Sequence, residues 1–138
     1  MIVNQRLEIK TQGNTDIINI TPDIERSLAE AGVSEGTVTV FSTHTTCAVT
    51  IIEYEPGLIA DFKSAWERIA PKDIQYEHDK RWNDGNGYAH IRASMLGFSV
   101  TIPFTDRKLM LGTWQQVIMV DFDNRPRNRS IILQFSGE

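Results

Sequence analysis

The sequence predicts an α+β fold, a single domain over residues 1–138 with a large, mainly antiparallel β-sheet or sandwich and two helices packed on it. Three observations carry this. Strand-like runs outnumber helical ones and are mostly joined by short turns, an order that alternating βα units of a parallel sheet do not match. Only residues 21–32 and 56–70 read as helices. "VIMV", residues 117–120, is apolar on both faces and predicts a central strand covered on both sides. With two helices available, part of that cover is expected from another subunit.

Taken in order, residues 2–11 alternate, with Val3, Leu7 and Ile9 facing one way and Arg6, Glu8 and Lys10 the other, as in a half-buried strand. "DIINI" follows the "QGNT" turn as a short strand. "TPDIERSLAEAG" has Thr21 as candidate N-cap, Pro22 at the first helical position, acids in its first turn and Gly32 at its end. "GTVTVFST" and "TCAVTII" are β-branched strands. "PGLIADFKSAWERIA" carries a stripe of Ile59, Phe62, Trp66 and Ile69. Residues 78–90, "HDKRWNDGNGYAH", read as a long polar loop. "GFSVTIP", "GTWQQVIMVDF" and "RSIILQF" complete the strands, with "FTDRKLML" as a turn and short strand and "DFDNRPRNRS" as a hairpin connection.

Composition narrows the function. The 138 residues are 41% apolar and 23% charged, which is ordinary for a soluble globular domain. A net charge of −4 argues against nucleic acid as a partner, because phosphate contacts need a basic surface. The longest apolar runs are too short for a membrane span, and the N-terminus lacks the long apolar stretch of a signal peptide. One cysteine, Cys47, excludes an intrachain disulfide framework. A cytoplasmic protein is expected.

The three histidines are the first candidates for chemistry. His78 and His90 bracket the polar loop, and His44 lies among Ser42, Thr43, Thr45 and Thr46 at a strand junction. Three imidazoles suit a transition metal with an open coordination position. Their spacing also allows the plainer reading of satisfied or exposed side chains. Asp79 and Asp84 could hold Mg²⁺ with water, while the "NDGNG" residues form turns on their own account. In an extended "HIRASMLG", His90, Arg92 and Ser94 would share a face suited to phosphate or pyrophosphate; in a helix, Arg92 would turn away. Glu53 is a candidate general base or a helix-start acid. Thr113 and Gln115 add donors, and Trp114 is open to core packing or ring stacking. Arg125, Arg127 and Arg129 read as a solvated hairpin, with an anion site or subunit contact as the sharper alternative. Cys47 fits a buried small hydrophobe better than a nucleophile.

"HTTCAVTI" followed by a glutamate, then "HD…N…AHIRASMLG" and "LGTWQ", resembles the YjbQ family of small proteins known as secondary thiamine-phosphate synthases. The resemblance runs over nearly the whole chain in the same order. It implies an α+β homotrimer and polar signature positions at His44, Thr45, Glu53, His78, Asp79, His90, Ser94, Thr113 and Gln115. It further implies a divalent metal, Zn²⁺ or Mg²⁺, held by His44, His78 and His90, and a phosphorylated small metabolite as partner. Where the family pattern has "NENE"-like residues this chain has "IEYE", keeping Glu53 but replacing two asparagines by Ile52 and Tyr54. The implied reaction joins an aminopyrimidine-methyl pyrophosphate to a thiazole phosphate and releases pyrophosphate. Glu53, Arg92 and Ser94 are then the catalytic candidates, and Thr45, Asp79, Thr113, Trp114 and Gln115 the substrate-binding ones. Dedicated synthases of that product resemble (β/α)₈ barrels of about 250 residues, which this chain is too short and too strand-rich to form. The alternatives are a metal- or metabolite-binding protein without turnover and a structural trimeric module; the latter predicts histidines far apart in space.

Overall fold

In the computed structural model, which describes all 138 residues, the alternation read from the sequence becomes two antiparallel sheets. The elements are β1 (Ile2–Thr11), β2 (Asp16–Asn19), α1 (Thr21–Ala31), β3 (Gly36–Ser42), β4 (Cys47–Glu53), α2 (Pro56–Ile69), α3 (Glu77–Trp82), α4 (Gly87–Leu96), β5 (Ser99–Thr105), β6 (Lys108–Leu109), β7 (Gln115–Asp121) and β8 (Arg127–Gly137). The larger sheet has the order β1-β8-β3-β5-β6 and the smaller β2-β7-β4.

β7 shows why the sheets stack. Val117, Met119 and their neighbours on β4 meet the inner face of the large sheet, Val38, Val40, Ile131, Leu133 and Phe135, in one core closed at its edge by Ile24 and Leu28 of α1. Ile118 and Val120, on the other face, meet Trp66 of α2 and Ala89 and Ala93 of α4 in a second core. Each fully buried aliphatic side chain contributes about 1.5–3 kcal/mol. The central position expected for "VIMV" therefore holds. Its second cover comes from the chain's own helices and not from another subunit.

Four helices are present where two were expected. Residues 78–90 are not an open loop: α3 ends at Asn83 in the left-handed region (φ 52), and α4 begins at Gly87. Gly87 is required by packing, since a Cβ there would lie 2.5 Å from the Tyr76 Cβ. In α4 the residues Tyr88, Ala89, Arg92 and Ala93 are buried while Ile91 and Met95 are exposed, so no clean apolar stripe announces the helix. Ile69, placed on the α2 stripe by its spacing, is exposed. Thr21 is not the α1 cap: its hydroxyl accepts the Val117 N–H at 2.8 Å, and its own N–H bonds Asn19 Oδ1. Glu55 caps α2, accepting from Gly57 and Leu58 N–H at 2.8 and 2.7 Å, which lowers its pKa. Residues 122–126 are not a hairpin either, because β7 and β8 belong to different sheets.

Candidate functional site

Three connections meet at one end of the sandwich: the β3–β4 loop, the α3–α4 junction and the β7–β8 crossover. Together they line a cavity of about 340 Å³ without a single hydrophobic side chain. The crossover is held by a buried ionic knot. Arg129 donates to both oxygens of Asp121 (2.7 and 2.8 Å) and to Thr46 Oγ1 (2.6 Å), and Thr11 donates to Asp121 at 2.6 Å. Burial alone would lower the Arg129 pKa, but hydrogen bonding to Asp121 reverses that and keeps the guanidinium charged. Asp123 is also buried. Burial would raise its pKa, yet hydrogen bonds from Thr46 and Asn86 and the positive charge of Arg127 hold it below the ordinary carboxylate value. Arg127 Nε lies 3.2 Å from Asp123 Oδ2 without the alignment of a hydrogen bond, so a buried donor on the cavity wall lacks an acceptor.

The imidazoles gather here. His44 and His90 both line the cavity, and the rings of His78 and His90 lie 4.4 Å apart. Burial, then Arg129, lowers the His44 pKa; burial, then His78, lowers that of His90. Both rings are therefore neutral near pH 7. His44 Nε2 accepts the Ser130 N–H at 2.8 Å, which commits its lone pair and leaves Nδ1 as the protonated nitrogen.

That bond revises the expected metal set. The close donor group is His78, Asp79 and Asp84, whose ligand atoms lie within 4.8 Å of one another, and not His44, His78 and His90. His78 Nδ1 is buried without a hydrogen-bond partner, 3.4 Å from Asp84 Oδ1 and 3.8 Å from Asp79 Oδ1. Ligands bound at about 2.1 Å in a tetrahedron are about 3.4 Å apart, so the set fits a divalent ion. Both carboxylates are oriented by backbone N–H groups: Gly87 N donates to Asp79 at 2.8 Å and Asn86 N to Asp84 at 3.2 Å.

Other expected site residues fall elsewhere. Arg92 lies on a helix and turns away from His90. It is buried on the α2 side, donating to Ala70 O (3.0 Å), Thr15 Oγ1 (3.2 Å) and Glu67 (2.9 Å), and its guanidinium stacks 4.8 Å over Tyr88. Ser94 donates to its own helix at Ile91 O, 3.0 Å away, and is exposed. Thr45 lines the cavity as expected. Glu53, Thr113 and Trp114 do cluster, around a separate cavity of about 380 Å³, but at the opposite end of the β4–β7 pair. Glu53 lies six residue steps along the strand from Cys47, about 20 Å. Gln115 closes the adjoining turn by accepting the Gly112 N–H at 2.8 Å. Thr46 and Asn86 entered the sequence reading only as neighbours of stronger candidates, and the residues passed over altogether are Asp121 and Asp123. The signal for the last two was "VDFD", an apolar strand ending in alternating acids, followed by "RPRNR" with alternating bases to neutralise them.

No helix is long and apolar enough to cross a membrane. The family described as "UPF0047 protein YjbQ-like" matches residues 5–138. A UPF0047 protein of Archaeoglobus fulgidus is 39% identical over 93% of this chain and 97% of its own length. The UPF0047 protein YugU of Bacillus subtilis is 32% identical over 95% and 97%. Among solved structures, a YbjQ-like protein of unknown function from Sulfolobus solfataricus superposes with a TM-score of 0.93 at 26% identity, covering 100% of this chain and 99% of that one. An uncharacterised YjbQ/UPF0047 protein from Clostridium acetobutylicum gives 0.86 at 33% identity, covering 96% and 99%. With motif order, fold and similarity in agreement over almost every residue, the chain belongs to the YjbQ (UPF0047) family.

Proposed function

We propose that the cavity is the site of a divalent-cation-assisted enzyme acting on a small phosphorylated metabolite, with thiamine-phosphate synthase-type coupling as the reaction to assay. The observation that supports it most is the juxtaposition at one rim of an orphaned imidazole nitrogen with two carboxylates, beside a wall bearing a buried Arg127 donor. An anion would satisfy that donor, and a cation would relieve the lone pair facing two carboxylates. His78, Asp79 and Asp84 would hold the ion, which when bound neutralises charge developing on a departing pyrophosphate. Arg127 and the Thr45 hydroxyl would bind phosphate oxygens, while the Thr43 hydroxyl is already donated to Ser130 O at 3.0 Å. His44, neutral and fixed through Ser130, would present its Nδ1–H as a donor. Asp123 and Arg129 would keep Thr46 and the crossover in register. In the coupling itself, the thiazole nitrogen attacks the methylene carbon as the carbon–oxygen bond to pyrophosphate breaks; the chain's part is to orient the two substrates and receive that charge.

The test combines calorimetric titration with Zn²⁺, Mn²⁺ and Mg²⁺ on the wild type, His78→Ala and Asp84→Asn with a direct assay of thiamine phosphate from the two substrates. The proposal expects stoichiometric binding lost in both variants, and turnover that falls with it. Binding without turnover of these substrates would move the reading to a cation- and metabolite-binding protein. No binding by the wild type would sink the cation-assisted site altogether.

A further inference from the structure

The β1–β8 ladder ends beside the crossover, with Lys10 opposite Asn128 and Thr11 opposite Arg127. There Lys10, Thr11, Gln12, Pro126, Arg127 and Asn128 line a second cavity, of about 500 Å³, and no carboxylate is among them. Arg127 also belongs to the wall of the candidate site and is the one residue the two cavities share. Charge at this corner does not cancel. Asp121 and Asp123 balance Arg129 and Arg127, which leaves Lys10 over. Glu8, two positions away on the same face of β1, accepts from Ser130 Oγ at 3.2 Å and forms no ion pair with Lys10. The buried Arg127 Nε has no acceptor. The mouth is held in shape by its own chain: Arg127 N–H donates to Thr11 Oγ1 at 3.3 Å, and Gln12 N–H to Asp16 at 2.8 Å. Pro126 further restricts the backbone that presents Arg127.

We propose that this cavity is a second phosphate subsite, which takes the terminal, non-reacting phosphate monoester of a substrate whose reacting end lies across Arg127 in the candidate site. The inference rests on the proposed function, which puts the chemistry in that site. The donors select the ligand. An ammonium, a guanidinium and the side-chain amides of Gln12 and Asn128 offer more hydrogens than the two oxygens of a carboxylate accept. A phosphate monoester, with three oxygens and close to two negative charges, uses them. Separation from the cation group also has a chemical reason. Two phosphate groups placed at one divalent ion would compete for its coordination positions and repel each other. With the departing pyrophosphate beside His78, Asp79 and Asp84, the other substrate's phosphate needs a metal-free anchor. Lys10 and Asn128 supply it on the far side of a guanidinium that faces both cavities.

The test follows backbone amide NMR signals of isotope-labelled wild type, Lys10→Gln and Lys10→Arg during titration with inorganic phosphate and with methyl phosphate. Buffers are metal-free, and chloride at equal ionic strength is the control. Lys10 is exposed on an edge strand, so neither substitution reaches the core. The expected result is saturable movement of the Gln12 and Asn128 signals with both phosphates and not with chloride. Affinity should fall about tenfold in Lys10→Gln, as for loss of one charge-assisted hydrogen bond, and return in Lys10→Arg. No saturable movement, equal affinity in Lys10→Gln, or binding of inorganic phosphate without methyl phosphate would overturn the subsite. Movement confined to Thr45 and Asn86 would also overturn it, by placing the anion in the candidate site alone. Zn²⁺ binding at His78 is titrated separately on the same proteins. Its absence with the phosphate response intact would remove the proposed function and leave the anion subsite; Zn²⁺ binding without that response would do the reverse.

Discussion

Two arginines on opposite sides of the three-stranded sheet are buried almost equally, Arg92 at 1% and Arg129 at 5% exposure, yet only one borders a cavity. Arg129 is neutralised by Asp121, itself fully buried, and the knot they form carries the floor of the candidate site. Arg92 is neutralised by Glu67, whose side chain is half exposed, and spends its other donors on the C-terminal end of α2 and on Thr15. A buried charge is therefore no sign of a site by itself. What separates the two is where the unpartnered polar atoms lie: beside Arg92 the Tyr88 hydroxyl lacks a partner but borders no cavity, whereas the Arg129 end lines one and includes Arg127 Nε on its wall and His78 Nδ1 at its rim.

The comparison is broken most severely at Arg129. In Arg129→Ala the Asp121 carboxylate is left inside without a counter-ion, a change that costs about 3–5 kcal/mol. Thermal unfolding should fall by roughly 6–20 °C, on the scale of ~2–4 °C per kcal/mol for a chain of this size. Arg92→Ala should cost less, about 1–3 kcal/mol, because Glu67 can return to water while Ala70 O and Thr15 lose a partner. It should also leave cation binding intact. If Arg92→Ala proves the more damaging of the two, or abolishes cation binding, the division drawn between scaffold and site is wrong.

That division also marks how much was legible in the sequence. Strand positions along the chain and the antiparallel pattern follow from period-2 alternation, β-branched residues and short turns, which act locally, and the central place of "VIMV" from its apolar character on both faces. The third and fourth helices did not follow. α4 has one face on a core and the other carrying Ile91 and Met95, so its periodicity is blurred, and "HIRASM" was open to an extended reading. The error spread to chemistry: a helix takes Arg92 away from His90. The convergence of His44, His78 and His90 was raised by residue type and the polar loop and favoured by family resemblance, because spacing leaves it open. Which nitrogen is free was invisible, since it depends on the Ser130 N–H, 86 residues from His44. Glu53 and Trp114 were read as parts of the same site for want of the β4–β7 register, which sets them at the other end.

A smaller effect separates the regions by pH. His44 and His90 have depressed pKa values, so below about 6.5 the unfolded chain binds protons that the folded chain refuses. Stability from these rings is complete above pH 6.5 and is lost as the pH falls from there toward their folded values. Asp123, also depressed, adds a second loss further down, below its ordinary value of 3.8. Urea unfolding of the wild type should weaken between pH 7 and 5. In a His44→Gln variant, whose amide oxygen can still accept from Ser130, the decline should be shallower. An equal decline in both would show that His44 is not among the groups responsible.

The smallest change in stability belongs to His78→Ala, and for that reason it sharpens the comparison most. His78 is partly exposed, and its Nδ1 has no hydrogen bond to lose, so truncation should shift unfolding by no more than about 0.5 kcal/mol in metal-free buffer. With Zn²⁺ or Mn²⁺ at a hundred times the dissociation constant, a folded-state site stabilises by about 2.7 kcal/mol. The wild type should gain that amount, and His78→Ala should gain almost nothing. The same titration on Arg92→Ala should reproduce the wild-type gain from a lower starting point, because its helical cluster shares no donor with the cation group. A scaffold residue lowers the baseline and keeps the increment, whereas a site residue keeps the baseline and loses the increment. A His78→Ala protein that unfolds early without metal, or that still gains the full increment, would place His78 in the scaffold beside Arg92.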